Sequence, residues 1–243
     1  MKKIKNFEVE LEVKSPLRIG GKKDPFSAID QPIVRIGNKI VIPGTSLKGA
    51  LRQEIEDYLI ESYSQIPEMK PCIPSSEKVL SEDERKLIEK GIYRGPSCVY
   101  PKENVSICPV CYLMGAQGLV GFVTVPFLNS DIEIPSELYA IRIDRSKEVA
   151  AKGTNREYQI IPEGTIFKGV LQVLIRDDVK GWELGKPRPL HEPTLGDRWL
   201  EVSDWTKEKI IDELIIKRLE SIKRLGSMKS SGAGKVKITV KEI

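Results

Sequence analysis

Alternation of apolar and polar residues predicts the strands of this chain. Near the N-terminus, four apolar residues alternate with glutamates, which is typical of a half-buried strand with its acids facing outward. These apolar residues are Phe7, Val9, Leu11 and Val13. Alternation over 166–175 predicts another strand, and a last one is expected over 235–241. Between 33 and 42, two short apolar runs flank Gly37 and Asn38, which tolerate the positive φ of a hairpin turn.

Apolar residues at helical spacing predict two long helices. The first extends from about Ser46 to Ser62, and the second from about Asp204 to Leu225, where Gly226 ends it. Their apolar stripes are Leu47, Leu51, Ile55, Tyr58 and Leu59 in the first helix, and Trp205, Ile211, Leu214, Ile215, Ile222 and Leu225 in the second. A weaker helix is predicted near 82–90.

The order of these elements indicates the fold class. A strand, a hairpin and a packed helix are typical of an α+β fold with an RRM-like or ferredoxin-like core. A chain of 243 residues can bury such a core, and we expect a single domain over 1–243. Residues 66–112 break the pattern, because they are rich in proline and charge, and we predict that they form an insertion in that domain.

Composition and charge narrow the class of protein. Apolar residues make up 40% of the chain and charged residues 30%, as in soluble globular proteins. A net charge of +4 permits nucleic-acid binding through a local basic surface without requiring it. Because the sequence contains no apolar stretch typical of a signal peptide or a membrane span, we expect a cytoplasmic protein with no membrane partner.

The start of the first predicted helix is a candidate phosphate site. Thr45 or Ser46 is placed to cap the helix with a side-chain oxygen. The unpaired amides and positive dipole end of a helix attract anions. Lys48 and Arg52 are four residues apart, so we expect both on one face of the helix. The alternative interpretation is an ordinary solvated helix start with surface charges.

The segment 66–112 contains every cysteine of the chain: Cys72, Cys98, Cys108 and Cys111. The last two form a Cys-Pro-Val-Cys knuckle, a spacing that holds one metal ion, and four thiolates suffice for a closed tetrahedral zinc site. Structural zinc would supply folding energy to a segment with little core of its own. Buried free cysteines or disulfides are the alternatives.

Two further segments are candidates for contact with nucleic acid. Residues 226–234 contain three glycines, and the interleaved side chains can donate hydrogen bonds to phosphate. These side chains belong to Ser227, Lys229, Ser230 and Ser231. Extended runs at 139–145 and 158–161 flank a polar, basic stretch, which predicts either a protruding hairpin or an ordinary surface loop.

Three motifs in combination resemble those of a known family. PLRIGG is followed by AIDQPIVR and then by IPGTSLKGALR, which opens the first helix. Together with the glycine-rich loop before the last strand, they resemble the RAMP superfamily. More narrowly, they resemble the repeated backbone subunit of type III CRISPR effector complexes of the Csm or Cmr kind, over most of the chain.

The resemblance implies roles for these motifs. The residues that would lie on the guide RNA are Ser46, Lys48, Gly49 and Arg52, together with Ser227, Lys229, Ser230 and Ser231. The hairpin over 142–161, with Arg142 and Arg145, would be a thumb that wedges between guide and target bases. Many relatives carry a zinc-binding insertion where this chain has its cysteines. Asp30 occupies the position of the acid that cuts target RNA, whereas Asp24 does not.

The implied chemistry is metal-dependent cleavage of target RNA at regular intervals. His191 is the only histidine, which excludes a two-histidine mechanism. Asp30 would hold a divalent cation, for which Mg²⁺ is the natural choice with oxygen ligands. The implied partners are crRNA, complementary target RNA, further copies of the chain in a filament and other effector subunits. Two alternatives remain: a non-catalytic structural RNA-binding subunit, and a guide-processing ribonuclease of the same superfamily, whose usual histidine is lacking here.

Overall fold

A computed structural model describes residues 1–22, 29–100, 106–140, 143–144, 146–150, 156–189 and 196–243. Its strands are β1 (Lys2–Val13), β2 (Arg35–Ile36), β3 (Lys39–Ile42), β4 (Val123–Thr124), β5 (Leu128–Asn129), β6 (Ser136–Ala140), β7 (Ile143–Asp144), β8 (Val149–Ala150), β9 (Arg156–Ile160), β10 (Ile166–Asp177), β11 (Trp182–Glu183) and β12 (Val236–Glu242). Its helices are α1 (Gly44–Tyr63), α2 (Glu82–Glu89), α3 (Pro109–Met114) and α4, which consists of the consecutive segments Lys207–Lys209, Ile210–Ile216 and Lys217–Ser221. Short 3₁₀ turns lie at Pro67–Met69, Glu77–Val79, Arg198–Leu200 and Lys229–Ser231.

The first strand, β1, lies at the centre of the main sheet. It pairs antiparallel with β10 on one side and with β12 on the other. The sheet order is β12-β1-β10-β5-β3-β2, and β4 and β11 also pair with β10. In this register Leu11 lies opposite Phe167 on β10 and Ile238 on β12, and all three side chains are buried. The mixed helix and strand content, with its mostly antiparallel sheet, agrees with the predicted α+β class.

One face of β1 is apolar and the other carries acids, as the alternation predicted. The four apolar residues are fully buried, whereas the three glutamates between them are half-buried. On the acidic face, Glu10 forms an ion pair with Lys168 of β10 at 2.9 Å. The buried residues of α1 and α4 belong to the same core as the apolar face of β1, so both helices cover that face. Burying apolar area in this way is the main favourable term in folding.

Helix α1 begins earlier than predicted and lacks the predicted cap. The hairpin turn before it has the expected positive φ of 59° at Gly37. Pro43 precedes the first helical residue, Gly44, and no side-chain hydrogen bond caps the helix, so the prediction of a cap by Thr45 or Ser46 is wrong. A β-carbon at Gly44 would collide with the backbone carbonyl oxygens at 125 and 126. The helix therefore starts at a glycine because the backbone leading to β5 packs directly against it.

The C-terminal helix differs from the predicted continuous helix. Thr206 caps α4 by accepting a hydrogen bond from the Lys209 amide at 3.2 Å. The central segment is π-helical, and the helix ends at Ser221 rather than at Leu225. Past that end, the Leu225 amide donates to the Gly234 carbonyl at 2.8 Å in an extended pairing with the chain entering β12. If the helix continued to Leu225, the Gly234 carbonyl would lose this partner.

The hairpin predicted from alternation is present and begins upstream of its predicted start. Strands β6 and β9 pair antiparallel from Ser136 opposite Ile160 to Ala140 opposite Arg156. Strands β7 and β8 pair farther along the same hairpin. Arg142 and Arg145, the two thumb arginines of the sequence analysis, lie outside the described residues.

Residues 66–112, which we expected to form an insertion, contain short helices, one of which is capped at its N-terminus by side-chain hydrogen bonds. In α2, the Ser81 amide donates to the Glu84 carboxylate at 2.7 Å, while the Ser81 hydroxyl accepts from the Glu84 amide at 3.2 Å. This reciprocal capping box stabilises a helix with no buried residue. The four cysteines, in contrast, are all buried, so they supply the centre around which this region packs.

Candidate functional site

The four cysteines converge on one point. Their Sγ atoms all lie within 4.8 Å of one another and no disulfide joins them. The Cys72 Sγ atom is 3.4 Å from that of Cys111 and 3.7 Å from that of Cys108. A tetrahedral ion with Zn–S bonds of about 2.3 Å separates its sulfur ligands by roughly 3.8 Å. The donor set and spacing therefore fit a metal such as zinc.

The local fold of α3 arranges the second half of this cluster. Cys108 precedes Pro109 at the helix start, and its sulfur accepts a hydrogen bond from the Cys111 amide at 3.4 Å. Burial opposes ionisation of Cys108, but hydrogen bonding with Cys111 and Cys72 outweighs it and holds the pKa of Cys108 well below the usual thiol value. Hydrogen bonding with Cys108 and Cys111 raises the pKa of Cys72, so the network favours negative charge on some of its sulfurs over others. The thiolate is the form that binds a metal ion.

Arg52 lies against this cluster, not against solvent. Its Nε atom donates to the Glu56 carboxylate at 2.7 Å, and its Nη2 atom lies 3.5 Å from the Cys72 Sγ and 3.8 Å from the Cys111 Sγ. Burial alone would lower the pKa of Arg52, but attraction to Cys111 and Glu56 raises it above the usual value. For Glu56, burial outweighs the attraction of Arg52 and raises the carboxyl pKa to about 7. These contacts conflict with the predicted role of Arg52 as a phosphate ligand.

A cleft of about 840 Å³ opens beside the cluster, at the N-terminal end of α1. Gly44, Thr45, Lys48 and Arg52 of α1 line one wall, so Lys48 and Arg52 do share a face as predicted. Lys48 is exposed, whereas Arg52 is turned inward. No side chain caps the first turn of α1, and the Ser46 and Leu47 amides donate to the Pro43 carbonyl at 3.0 and 3.3 Å, which leaves the Gly44 and Thr45 amides for an anion in this cleft.

Residues 115–117 and 119–121, which follow α3, also line the cleft. The glycines of the segment 115–121 have structural reasons: a β-carbon at Gly118 would collide with the Tyr100 carbonyl oxygen, and one at Gly121 with the Leu113 carbonyl oxygen. The Tyr100 amide also donates to the Gln117 carbonyl at 2.8 Å. The glycine-rich segment after the Cys-Pro-Val-Cys knuckle therefore packs tightly against the cysteine region and lines the cleft.

A buried ion pair between Arg188 and Asp197 contacts the segment 115–121 through the Val120 carbonyl. Arg188 and Asp197 have no exposed side-chain surface, and their closest atoms lie 2.7 Å apart. A second nitrogen of Arg188, Nη1, donates to the Val120 carbonyl at 3.2 Å, and the guanidinium lies 4.8 Å from the Tyr112 ring centre. The sequence offered no signal for this pair, because it joins two positions in an irregular stretch without periodicity. His191, between them, lies outside the described residues.

Asp30 belongs to a second group of residues, organised by Arg18. Asp30 is half-buried, next to Gln31, whose side-chain oxygen accepts from Arg18 Nη2 at 2.7 Å. A second nitrogen of Arg18 donates to the Ser227 hydroxyl at 3.0 Å. The Gln31 amide also donates to the Glu157 carbonyl at 3.1 Å, at the base of the hairpin. The structure thus links the Asp30 segment to both the glycine-rich loop and the hairpin; Asp24 lies outside the described residues.

The glycine-rich loop has both internal and outward-facing parts. Gly226 has φ 76° and lies so close to Arg18 that a β-carbon would collide with its carbonyl oxygen. The Ser227 hydroxyl is engaged with Arg18, so it serves the internal contact. Lys229, Ser230 and Ser231 are exposed on a 3₁₀ turn. Those three side chains, together with Ser46 and Gly49 on α1, remain candidates for contact with a ligand.

Comparison with known proteins gives one match. A family model described as the RAMP superfamily matches residues 10–237. Among curated proteins, none matches the chain. None of the helices in the described part of the chain combines the length and apolar character that a membrane span requires.

Proposed function

Since the chain belongs to the RAMP superfamily, we propose that it is an RNA-binding subunit of a CRISPR effector complex. More specifically, we propose the backbone subunit of a type III complex, with a ferredoxin-like core, that binds crRNA and cuts complementary target RNA through Asp30. Its partners in this proposal are the guide, the target, further copies of itself and other effector subunits. The observation that carries the proposal is the uncapped first turn of α1, which faces an open cleft beside exposed Lys48.

The cleft has the chemistry of a phosphate site. Backbone amides at a helix N-terminus and a positive dipole end favour an anion, and Lys48 adds a charge. Such contacts position a nucleic acid without reading its sequence. A guide must be held whatever its sequence, so this kind of contact suits a subunit that binds many different guides.

Gly49, in the first turns of α1, also supports RNA binding at this cleft. It lies within α1, is exposed, and an added β-carbon there would meet no atom within 4 Å among the described residues outside its own stretch of helix. Glycine inside a helix costs about 0.5–1 kcal/mol relative to alanine. The fold of the chain therefore gives no reason for a glycine at this exposed position. A ligand backbone that approaches the helix closely would give one.

The cutting role rests on the position of Asp30 and its setting. Arg18 ties the segment next to Asp30 to the glycine-rich loop, so a candidate RNA-contacting loop lies close to the candidate cutting acid. Among the described residues, the cysteines form the one cluster of three or more metal-ligating side chains. A cation at Asp30 would therefore need RNA phosphates and water as further ligands. When bound, Mg²⁺ would neutralise charge at the reacting phosphate.

The experiment for cleavage compares Asp30→Asn with the wild-type chain in an assembled complex with labelled complementary RNA. We expect binding to be retained and cleavage to be lost, because the cation would lose its carboxylate ligand. Asp24→Asn is the matched control and should cut normally. EDTA should stop the wild-type reaction. Undiminished cutting by Asp30→Asn, with binding intact, would favour the alternative of a structural, non-catalytic subunit.

The experiment for RNA binding uses Lys48→Ala and Gly49→Ala. Lys48→Ala should weaken binding of RNA of any sequence and reduce the salt dependence of affinity by about one counterion. Gly49→Ala should stabilise the free chain by about 0.5–1 kcal/mol and yet weaken RNA binding. Lys86→Ala, at an exposed lysine of α2, controls for loss of charge. Unchanged affinity in both cleft variants would place the RNA elsewhere.

A further inference from the structure

Two nitrogens of the Arg52 guanidinium have different partners. Nε donates to the Glu56 carboxylate at 2.7 Å. Nη2 lies 3.5 Å from the Cys72 Sγ atom and 3.8 Å from the Cys111 Sγ atom. Only 16% of the Arg52 side chain and 5% of the Glu56 side chain are exposed. Both groups are thus enclosed between α1 and the cysteine cluster.

The charge of the cluster explains why a cation belongs there. Four thiolates and one Zn²⁺ carry a net charge of −2, by simple counting, in a region where all four sulfurs are buried. Buried charge is unfavourable unless it is paired and hydrogen-bonded. A guanidinium places several donors in a fixed plane, so it can serve two acceptors at once, which the single ammonium of lysine does less well.

We infer that Arg52 is a positioning residue of the cysteine cluster, which stabilises the metal-bound thiolates, and that Glu56 holds it in place. The inference rests on our proposal that the four cysteines hold a structural zinc ion, which their donor set and spacing fit. The inference gives two residues on one face of α1 different roles. Lys48 contacts phosphate, whereas Arg52, one turn later, stabilises the metal-bound cysteines. Groups that hydrogen-bond to metal ligands commonly contribute 10- to 100-fold in metal affinity.

Glu56 is essential to this arrangement because of where it lies. It is one helical turn beyond Arg52, a spacing that brings the two side chains together on α1. Without the carboxylate, the guanidinium would lose its 2.7 Å hydrogen bond and could turn toward the open cleft. Glu56→Gln keeps an acceptor oxygen but removes the charge that holds Arg52, so the inference expects it to weaken metal retention in the same direction as a change at Arg52, but less.

The experiment uses the full-length chain loaded with one equivalent of Zn²⁺. Competition with the chromophoric chelator 4-(2-pyridylazo)resorcinol gives the zinc affinity of the wild type, Arg52→Met, Arg52→Lys and Glu56→Gln. We expect Arg52→Met to lose zinc affinity by about 10- to 100-fold and Arg52→Lys to retain part of it. In Co²⁺-substituted protein, the thiolate-to-metal charge-transfer absorption should shift in Arg52→Met, because the sulfurs lose a hydrogen-bond donor. Lys86→Met should match the wild type.

RNA affinity supplies the reciprocal measurement. Arg52→Lys, which keeps charge and length, should bind RNA like the wild type once loaded with zinc, whereas Lys48→Met should keep its zinc and bind RNA less tightly. Equal zinc affinity and an equal cobalt spectrum in wild type and Arg52→Met would overturn the inference. So would loss of RNA binding by zinc-loaded Arg52→Lys. If Arg52→Met does not fold, Arg52→Lys and Glu56→Gln decide the question by the same zinc competition. A wild-type chain that holds no zinc would instead refute the metal site itself.

Discussion

Replacing Asp197 by alanine would leave the Arg188 guanidinium buried without the carboxylate that holds it. Neither side chain has any exposed surface. The carboxylate accepts from Nη2, Nε and the backbone amide of Arg188 at 2.7, 2.8 and 3.0 Å. After the substitution, two guanidinium donors and a buried amide would lose their acceptor in an enclosed, partly aromatic site.

The magnitude follows from this geometry. Removing one partner of a fully buried, hydrogen-bonded pair costs about 3–5 kcal/mol, because the remaining charge stays desolvated. For a chain of this length, 1 kcal/mol corresponds to a change in Tm of about 2–4 °C. We therefore expect Asp197→Ala to lower Tm by roughly 6–20 °C. The double variant Arg188→Met/Asp197→Leu should recover most of this loss, because it removes the unpaired charge.

The assay is thermal and chemical unfolding of the zinc-loaded chain, with Asp178→Ala as the matched control. Asp178 pairs with Arg176 and the N-terminal amine, but its side chain is 44% exposed. An exposed pair contributes about 0–1 kcal/mol, so the control should unfold within about 1 kcal/mol of the wild type. A loss of less than about 1 kcal/mol in Asp197→Ala would refute the reasoning that burial makes this pair indispensable.

Three further outcomes test the packing. Leu51→Ala should cost about 2–5 kcal/mol, because its side chain is fully buried between α1 and the sheet, whereas exposed Gln53→Ala should cost little in the same denaturant titration. Gly226→Ala should destabilise the fold more than Gly232→Ala. Both glycines have positive φ, but only at Gly226 would the added β-carbon collide with neighbouring backbone, and differential scanning calorimetry should therefore give the lower Tm for Gly226→Ala. After removal of zinc by a strong chelator, protease should cut the cysteine region earlier than the sheet. Digestion of both at the same rate would contradict the idea that the metal stabilises mainly the cysteine region.

Much of the fold could be predicted from local patterns. The alternation around Leu11 predicted a strand with acids outward, because side chains on a strand alternate between faces. Helical spacing predicted most buried residues of α1 and those in the middle of α4, whereas Tyr58 is half-buried and Trp205, Ile222 and Leu225 are buried outside α4. The cysteine cluster could also be predicted, since a cysteine knuckle and two further cysteines in one short segment are typical of a site that could hold a metal ion. Each of these signals lies within a short stretch and does not depend on distant contacts.

The tertiary structure decided which partner each polar side chain takes. Helical geometry placed Lys48 and Arg52 on one face, but only the packing of the cysteine region against α1 turned Arg52 toward sulfur and left Lys48 exposed. Arg18 contacts Ser227, 209 positions away, which no local pattern encodes. In the same way, α4 ends at Ser221 because the chain beyond it pairs with the entry to β12. The local sequence determines whether a residue is helical or extended and on which side of its helix or strand it lies. Its contact partner depends on which distant part of the chain the fold packs against that side.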